Sequence, residues 1–265
     1  MDEYNKNLKK HVSEHQKRTF GGFSEYELNK SNISIFRFIS FESLIEILSS
    51  GFLSISQTKY WDDSYENHYC KIKVKMGNIY INMLDLEDTF YGQCWTLLNE
   101  SDALWRIYSY DKKSIRISTT VKKLFDSIIN SESFDETRCM GIAVGKVRYI
   151  NEKTFREFYN KFDKHTLIMN FSKLAMESMF LKRKEFNHEK EIRLIYRQSI
   201  AEHANTLDSK IIKFKINPAK LIDSITLDPR IDTRTEIVYK DILSKYGHKQ
   251  VEKSRLYKMK KIIID

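Results

Sequence analysis

The sequence predicts a mixed α+β fold, a single domain with mostly antiparallel sheets flanked by helices. Three observations lead there. Helical and strand-like patterns alternate along the chain. Many strand segments alternate polar and apolar residues, whereas strands of a doubly wound parallel sheet run apolar on both faces. No internal repeat, low-complexity tract or clear linker divides the 265 residues, and a hydrophobic share of 41% suffices for one sizeable core. The expected organisation is an N-terminal helical extension over 1–30 and one α+β domain over 31–265.

"ISIFRFIS" (33–40) is rich in Ile and Phe and predicts a strand. In "FESLIEILSSG", Phe41, Leu44, Ile45 and Leu48 fall at helical spacing, Ser40 is placed to cap the start, and Gly51 to end it. "FLSIS" is a second short strand, so 33–56 form a strand–helix–strand unit. "QTKYWDDSYENHYC" is a polar, aromatic loop, and "YINMLDLEDTF" within the ambiguous stretch 71–90 suits a helix. "GQCWTLL" has the character of a buried strand, "SDALWRIYSYD" of a helix capped by Ser101 or Asp102, and "SIRIST" of a strand. "TTVKKLFDSIIN" is an amphipathic helix with Val121, Leu124, Phe125 and Ile128 on one face. "GIAVGKVRYI" predicts one strand. Residues 152–184 predict one or two helices, with Leu167, Phe171, Leu174 and Leu181 in register and Ser178 interrupting them. "EKEIRLIYR" and "KIIKFKI" are strands, and "NPAKLIDSITLDPR" is a turn, a short helical turn and a strand. "DTRTEIVYKDILSKYG" is a helix with a glycine stop, and "QVEKSRLYKMKKIIID" a basic, strand-like end.

Composition excludes several classes. Cys70, Cys94 and Cys139 are widely spaced and form no CxxC pair, which supports neither a zinc site nor a disulfide framework. Free thiols fit a reducing cytoplasm. No apolar run approaches the roughly 20 residues of a membrane helix, and "MDEYNKNLKKHVSEHQKRTF" lacks a signal-peptide core. No membrane association is therefore expected. The net charge of +9 favours an anionic partner, either a nucleotide or a nucleic-acid or protein acceptor met through the basic surface and C-terminal tail. There is no glycine-rich phosphate loop, HExxH, GxSxG elbow or cysteine-centred signature.

Four constellations carry chemistry. Arg37 lies between Phe36 and Phe38 on a strand just before a helix, an arrangement suited to bidentate phosphate capture or to a solvent-facing strand residue. In "KEFNHEKEIRLIYR", a strand puts Glu189, Glu191 and Arg193 on one face, with carboxylates at i and i+2 about 6.5–7 Å apart. Such a trio grips a ribose diol or stabilises a sugar cation, and it is equally the polar face of an amphipathic strand. In "YWDDSYE", Asp62, Asp63 and Glu66 match no calcium-loop pattern; the better reading is loop folding, with Asp63 capping and Glu66 in a salt bridge. No metal is predicted. Trp105 and Tyr108 share a helical face and are read as core, whereas Trp95 and Tyr110 are free to stack on a nicotinamide, adenine or other base.

The order "FRFISFESLIEILSSGFLSIS", "YWDDSYE", "CWTLLNESDALWRIYSYDKKSIRIS", "GKVRYI", "FLKRKEFNHEKEIRLIY" and "PAKLIDSITLDPR" resembles the bacterial family known as domain of unknown function 2971, over roughly residues 33 to 245. Where that family has Asn-Asp-Pro, this chain has Asp62-Asp63-Ser64. The resemblance implies a setting in phage defence and abortive infection. A more distant likeness, to ADP-ribosyltransferases, rests on Arg37, Thr96 in "CWT" and Glu189-x-Glu191 occurring in the order Arg, Ser/Thr, Glu. It implies an ADP-ribosyltransferase-like fold with NAD as substrate. Glu191 would stabilise the sugar cation, Glu189 would position or deprotonate the acceptor, and Arg37 would anchor the phosphates. Thr96 would brace Glu191 or bond the ribose, Trp95 or Tyr110 would stack on nicotinamide, and Arg193 would complete the cofactor site. The expected function is that of a toxin-like NAD-consuming ADP-ribosyltransferase or glycohydrolase. The alternatives are a non-catalytic nucleic-acid or protein-binding defence module, and a metal-dependent nuclease using Asp62, Asp63, Glu66, Glu189 and Glu191.

Overall fold

The chain's first described elements set the frame for everything that follows. Strand β1 (Ser34–Ile39) runs into helix α1 (Phe41–Ser50), whose Ser40 side chain accepts the amide of Ser43. Gly51, at φ 68°, takes the left-handed conformation that ends the helix, and β2 (Phe52–Gln57) returns at once. The structure, a computed structural model, describes residues 33–63, 65–66, 68–69, 72–82, 84–161, 171–199 and 210–259. The expected extension over 1–30, Leu167, and residues 260–265 of the expected basic end lie outside the described residues.

Among the remaining strands, β3 (Lys73–Met76) and β4 (Ile79–Asn82) form a hairpin, followed by a 3-10 segment over Leu84–Thr89. The helix expected over Tyr80–Phe90 is therefore not formed. Gly77, at φ 59°, supplies a tight turn that favours strand pairing instead. Strand β5 (Phe90–Thr96), helix α2 (Asp102–Tyr108, capped by Ser101), strand β6 (Ile115–Thr120) and helix α3 (Val121–Ile129) follow as expected. The single strand expected over 141–150 divides at Val147 into β7 (Cys139–Lys146) and β8 (Arg148–Ile150), because Val147 donates to the Glu191 carbonyl while Arg148 donates to Phe180. Helices α4 (Glu152–Asn160) and α5 (Phe171–Ser178) precede β9 (Leu181–Arg183), so Leu181 belongs to a strand and not to the helical stripe. After a 3-10 segment over Lys184–Glu189 come β10 (Glu191–Gln198), β11 (Ile211–Lys215), the short α6 (Pro218–Leu221), β12 (Ser224–Leu227), α7 (Thr233–Lys245) and β13 (Glu252–Lys253). Among the described residues of the expected C-terminal strand, only Glu252 and Lys253 pair with a neighbour.

The result is the expected mixed α+β fold, and its main sheet is antiparallel apart from the β12–β13 pair. The order is β11-β2-β5-β1-β6-β12-β13, with β10 on the other edge of β5 and β7 beyond it. One edge of β5 is thus shared by two strands. Gly92 and Tyr91 pair with Ser56 and Gln57 of β2, Thr96 pairs with Phe36 of β1, and the sheet opens between them. One face of the sheet packs on α1, α3 and α7 through Leu44, Leu124, Leu243 and their neighbours. The opposite face carries two separate apolar clusters. In one, α5 covers Ile195 and Ala143; in the other, Leu104 and Trp105 of α2 cover Phe38. The opening in the sheet lies between these two covers. Among the described residues, no helix is long and apolar enough to cross a membrane.

Candidate functional site

At the opening lies a cavity of about 310 Å³ lined by β1, β5, α2 and the start of β10, together with Ser56 and Trp61. Phe36, Arg37 and Phe38 all face it. Strict alternation would send Arg37 to the opposite face from Phe36 and Phe38. Because the backbone pairing of β1 with β5 stops at Phe36 and Thr96, Arg37 instead reaches into the gap. Its guanidinium makes no hydrogen bond or ion pair with any described residue, and burial pulls its pKa down to about 10, against the pull of Cys94 and Tyr108. A half-buried cation without an ion pair carries a desolvation cost that a bound anion would offset.

Across the cavity stand Glu189 and Glu191. Glu191 is the first residue of β10 and pairs with Thr96, but Glu189 does not lie on that strand as expected. It ends the 3-10 segment, and Lys190, at φ 46°, turns the chain between them. Thr96 Oγ1 donates to the Glu189 carbonyl at 2.6 Å and accepts the Leu98 amide, so it fixes the loop that carries Glu189. Tyr149 Oη accepts the Glu191 amide at 2.8 Å.

Glu191 is 6% exposed and held between two cations. Arg193 Nε reaches its Oε2 at 2.8 Å and Lys182 Nζ its Oε1 at 3.0 Å. Burial favours the neutral acid, but Arg193 and Lys182 outweigh it and hold Glu191 well below the usual carboxylate range. The neighbouring Glu189, bonded by Lys182 at 2.6 Å, moves the other way. Burial and the hydrogen bond it shares with Glu191 push it up to about 7. The environment thus separates two carboxylates into a fixed anion and a group that exchanges its proton near neutrality.

Arg193, 1% exposed, does not line the cavity. It also binds Glu66 at 2.5 Å and the Met179 carbonyl at 2.6 Å, and it stacks 4.6 Å above the Trp61 ring. The expected loop roles of Asp63 and Glu66 are visible here. Asp63 accepts the Tyr65 amide and pairs with Arg183, while Glu66 pairs with Arg193 and Lys182. Asp62 is exposed, and among the described residues no group of three His, Cys, Asp or Glu is placed to hold a metal.

The aromatic assignments change. Trp95 lines the cavity but belongs to the core beneath it, with its indole N–H donated to Gln93 Oε1 at 2.8 Å. Tyr110 is 89% exposed and outside the lining, since α2 ends at Tyr108 and the chain turns to solvent. Tyr108, expected in the core beside Trp105, is instead 46% exposed and lines the cavity. Trp61 was not singled out from the sequence, although its position beside Asp62 in a loop of tyrosines marked an aromatic surface. Lys182 left no signal in the sequence at all. The structure therefore brings Arg37, Trp95, Thr96, Glu189 and Glu191 to one cavity, and it leaves Arg193 behind the wall and Tyr110 outside.

By fold and site, the chain is an α+β protein with a split sheet and a cleft that pairs an unpartnered arginine with a carboxylate couple. The model of the family described as protein of unknown function DUF2971 matches residues 104–194, which include Tyr108, Lys182, Glu189, Glu191 and Arg193 but not Arg37 or Thr96. No curated protein matches the chain. Solved structures similar to it include Thermus sp. 2.9 DarT in complex with NAD+, 13% identical with a TM-score of 0.38, covering 85% of this chain and 96% of that one. The same DarT in complex with ADP-ribosylated ssDNA is 13% identical with a TM-score of 0.36, covering 89% and 96%.

Gly92 supplies a direct check on the cavity wall. A Cβ added there would lie 2.7 Å from Trp61 Cζ2 and 3.0 Å from Ile195 Cδ1. Gly92→Ala should push the indole off its place under Arg193 at a cost of about 1–3 kcal/mol. A lower unfolding midpoint together with a shifted tryptophan emission is expected, and an unchanged emission spectrum would place Trp61 elsewhere.

Proposed function

We propose that the cleft binds NAD and that the chain is an ADP-ribosyltransferase or NAD glycohydrolase, a toxin-like effector of bacterial defence working in a reducing cytoplasm. One observation carries this reading: an unpartnered guanidinium, aromatic rings and a polarised carboxylate pair face a single cavity. Its volume is at the small end of ligand pockets, roughly 300–1,000 Å³, and fits the reacting half of a dinucleotide. The defence setting rests on the family resemblance.

Each residue has a role on this reading. Arg37 binds the pyrophosphate, with both edges of its guanidinium available for a bidentate contact. Phe36, Trp61 and Tyr108 replace Tyr110 as the rings that hold nicotinamide, and Trp95 serves as their floor. Glu191 lines the cavity as an anion to which a ribose hydroxyl can donate. Its charge stabilises the ribosyl cation as the C1′–N bond breaks and the electron pair leaves with nicotinamide. The acceptor oxygen then bonds to C1′, and its proton passes to Glu189. Thr96 braces the Glu189 backbone, and Arg193 holds Glu191 from behind.

The acceptor is read from charge. Lys253, Arg255, Tyr257 and Lys258 line a second groove of about 390 Å³. Leu256 packs with the cluster that contains Leu104 and Trp105, so this basic segment lies against the same helix that presents Tyr108 to the cavity. A polyanion such as a nucleic acid fits that position.

Glu191→Gln keeps the side chain's shape and removes its charge, so NAD consumption should fall by at least ~100-fold. Mass spectrometry of nucleotides from cells expressing the two proteins reads this, and equal NAD loss from both would refute the reading. For the acceptor, oligonucleotide affinity should fall steeply and linearly with salt on logarithmic axes, and alanine at Lys253, Arg255 and Lys258 should flatten the slope. Affinity indifferent to salt would exclude a phosphate-driven acceptor.

A further inference from the structure

Lys182 is a buried cation that does not line the cavity. It sits at the centre of β9, which pairs with β8 in a separate two-stranded sheet. From there its ammonium reaches Glu189 Oε2 at 2.6 Å, Glu191 Oε1 at 3.0 Å and Glu66 Oε1 at 3.5 Å. The Phe186 ring lies 4.5 Å away on the 3-10 segment. One point charge thus joins three carboxylates from three chain segments, and it is the only cation among the described residues that forms ion pairs with both Glu189 and Glu191.

We propose that Lys182 is a positioning residue that divides labour within the carboxylate pair. Together with Arg193 it holds Glu191 as the anion facing the sugar, and by itself it leaves Glu189 able to take the acceptor's proton. This inference rests on the NAD reading of the cleft, but it makes a claim of its own. Without the ammonium, Glu189 would face the Glu191 charge uncompensated and hold its proton to higher pH, while Arg193 still keeps Glu191 ionised.

The charged and titratable groups around it come from every packed element. They are Glu66 and Arg193 beside it, Tyr149 from β8, Tyr108 from α2 and Cys94 from β5. Burial pushes up the two tyrosines and the thiol, so they stay neutral across the working range. Arg193 does not titrate, and it is already shared between Glu66 and Glu191. Within this set, Lys182 is the cation that lowers Glu189, while burial and Glu191 raise it. Since Glu189 acts as a base, removing the cation raises the pH at which it gains a proton, and the acid limb of the activity profile moves upward.

The test compares wild type, Lys182→Met and Lys182→Arg in NAD turnover across pH. In Lys182→Met, kcat should fall at least about ten-fold with KM for NAD nearly unchanged, and the acid limb should rise by about one pH unit. Lys182→Arg should restore most of the limb's position. An unmoved acid limb, or kcat and KM degrading together, would overturn the proposal. If Lys182→Met does not fold, NMR on wild type labelled at glutamate carboxyl carbons and lysine Nζ decides. The Glu189 carboxyl and the Lys182 ammonium should report one shared titration near neutrality, and independent titrations would overturn the inference. A wild type that leaves NAD untouched removes the NAD reading alone, because the NMR experiment still judges the coupling.

Discussion

The architecture depends on the sharing of one strand edge. Strand β5 has β10 along the whole of one side, and on its other side β2 and β1 each take a part. Two strands cannot occupy one edge without separating, so the sheet opens where backbone pairing stops. The gap is lined by side chains that a continuous sheet would press into its faces. Arg37 is the clearest case: alternation assigns it to the core side, and only the divergence of β1 gives it a cavity to enter. The tight turn at Gly51 sets this geometry, because it returns the chain from α1 directly into β2.

Charge then fixes what geometry opens. Arg193 lies at the bottom of the second face and binds Glu191 from its own strand, Glu66 from the loop after β2 and the Met179 carbonyl at the end of α5. Removing one partner from such a buried set typically costs about 3–5 kcal/mol, because the others are left unpaired. The network therefore ties the aromatic loop to the strand that carries the carboxylates. Arg37 lies outside it. Within that network Glu66, Glu191, Arg193 and Lys182 compensate one another, whereas Arg37 lines the cavity without an ion pair to any described residue.

Much of this was legible in the sequence, for local reasons. Ser40 and Gly51 flank an unbroken helical pattern, so the strand–helix–strand unit declares itself. Arg37, Thr96, Glu189 and Glu191 can be placed together because their order along the chain resembles a known arrangement. The hairpin over 73–82 was hidden because Lys73–Met76 and Ile79–Asn82 are too short to show a period, although Gly77–Asn78 is a turn signal. Nothing in the sequence distinguishes Tyr108 from Tyr110, because no residue marks that α2 stops at Tyr108 and sends the later ring to solvent. The sequence extends the strand to Glu189 because a left-handed lysine at 190 has no compositional mark. Lys182 was invisible, since its importance arises from three carboxylates that meet only in the folded chain.

The central claim is that Arg37 is kept for a ligand and not for the fold, and the most direct measurement is Arg37→Met in two parallel experiments. Denaturant unfolding should give a midpoint equal to or above that of wild type, because the replacement removes an uncompensated cation and keeps an apolar stem. Calorimetric titration with NAD should show affinity weakened by more than about ten-fold, the loss of a charge-assisted bidentate contact. A lower midpoint with NAD affinity unchanged would contradict the account and return Arg37 to the structural framework.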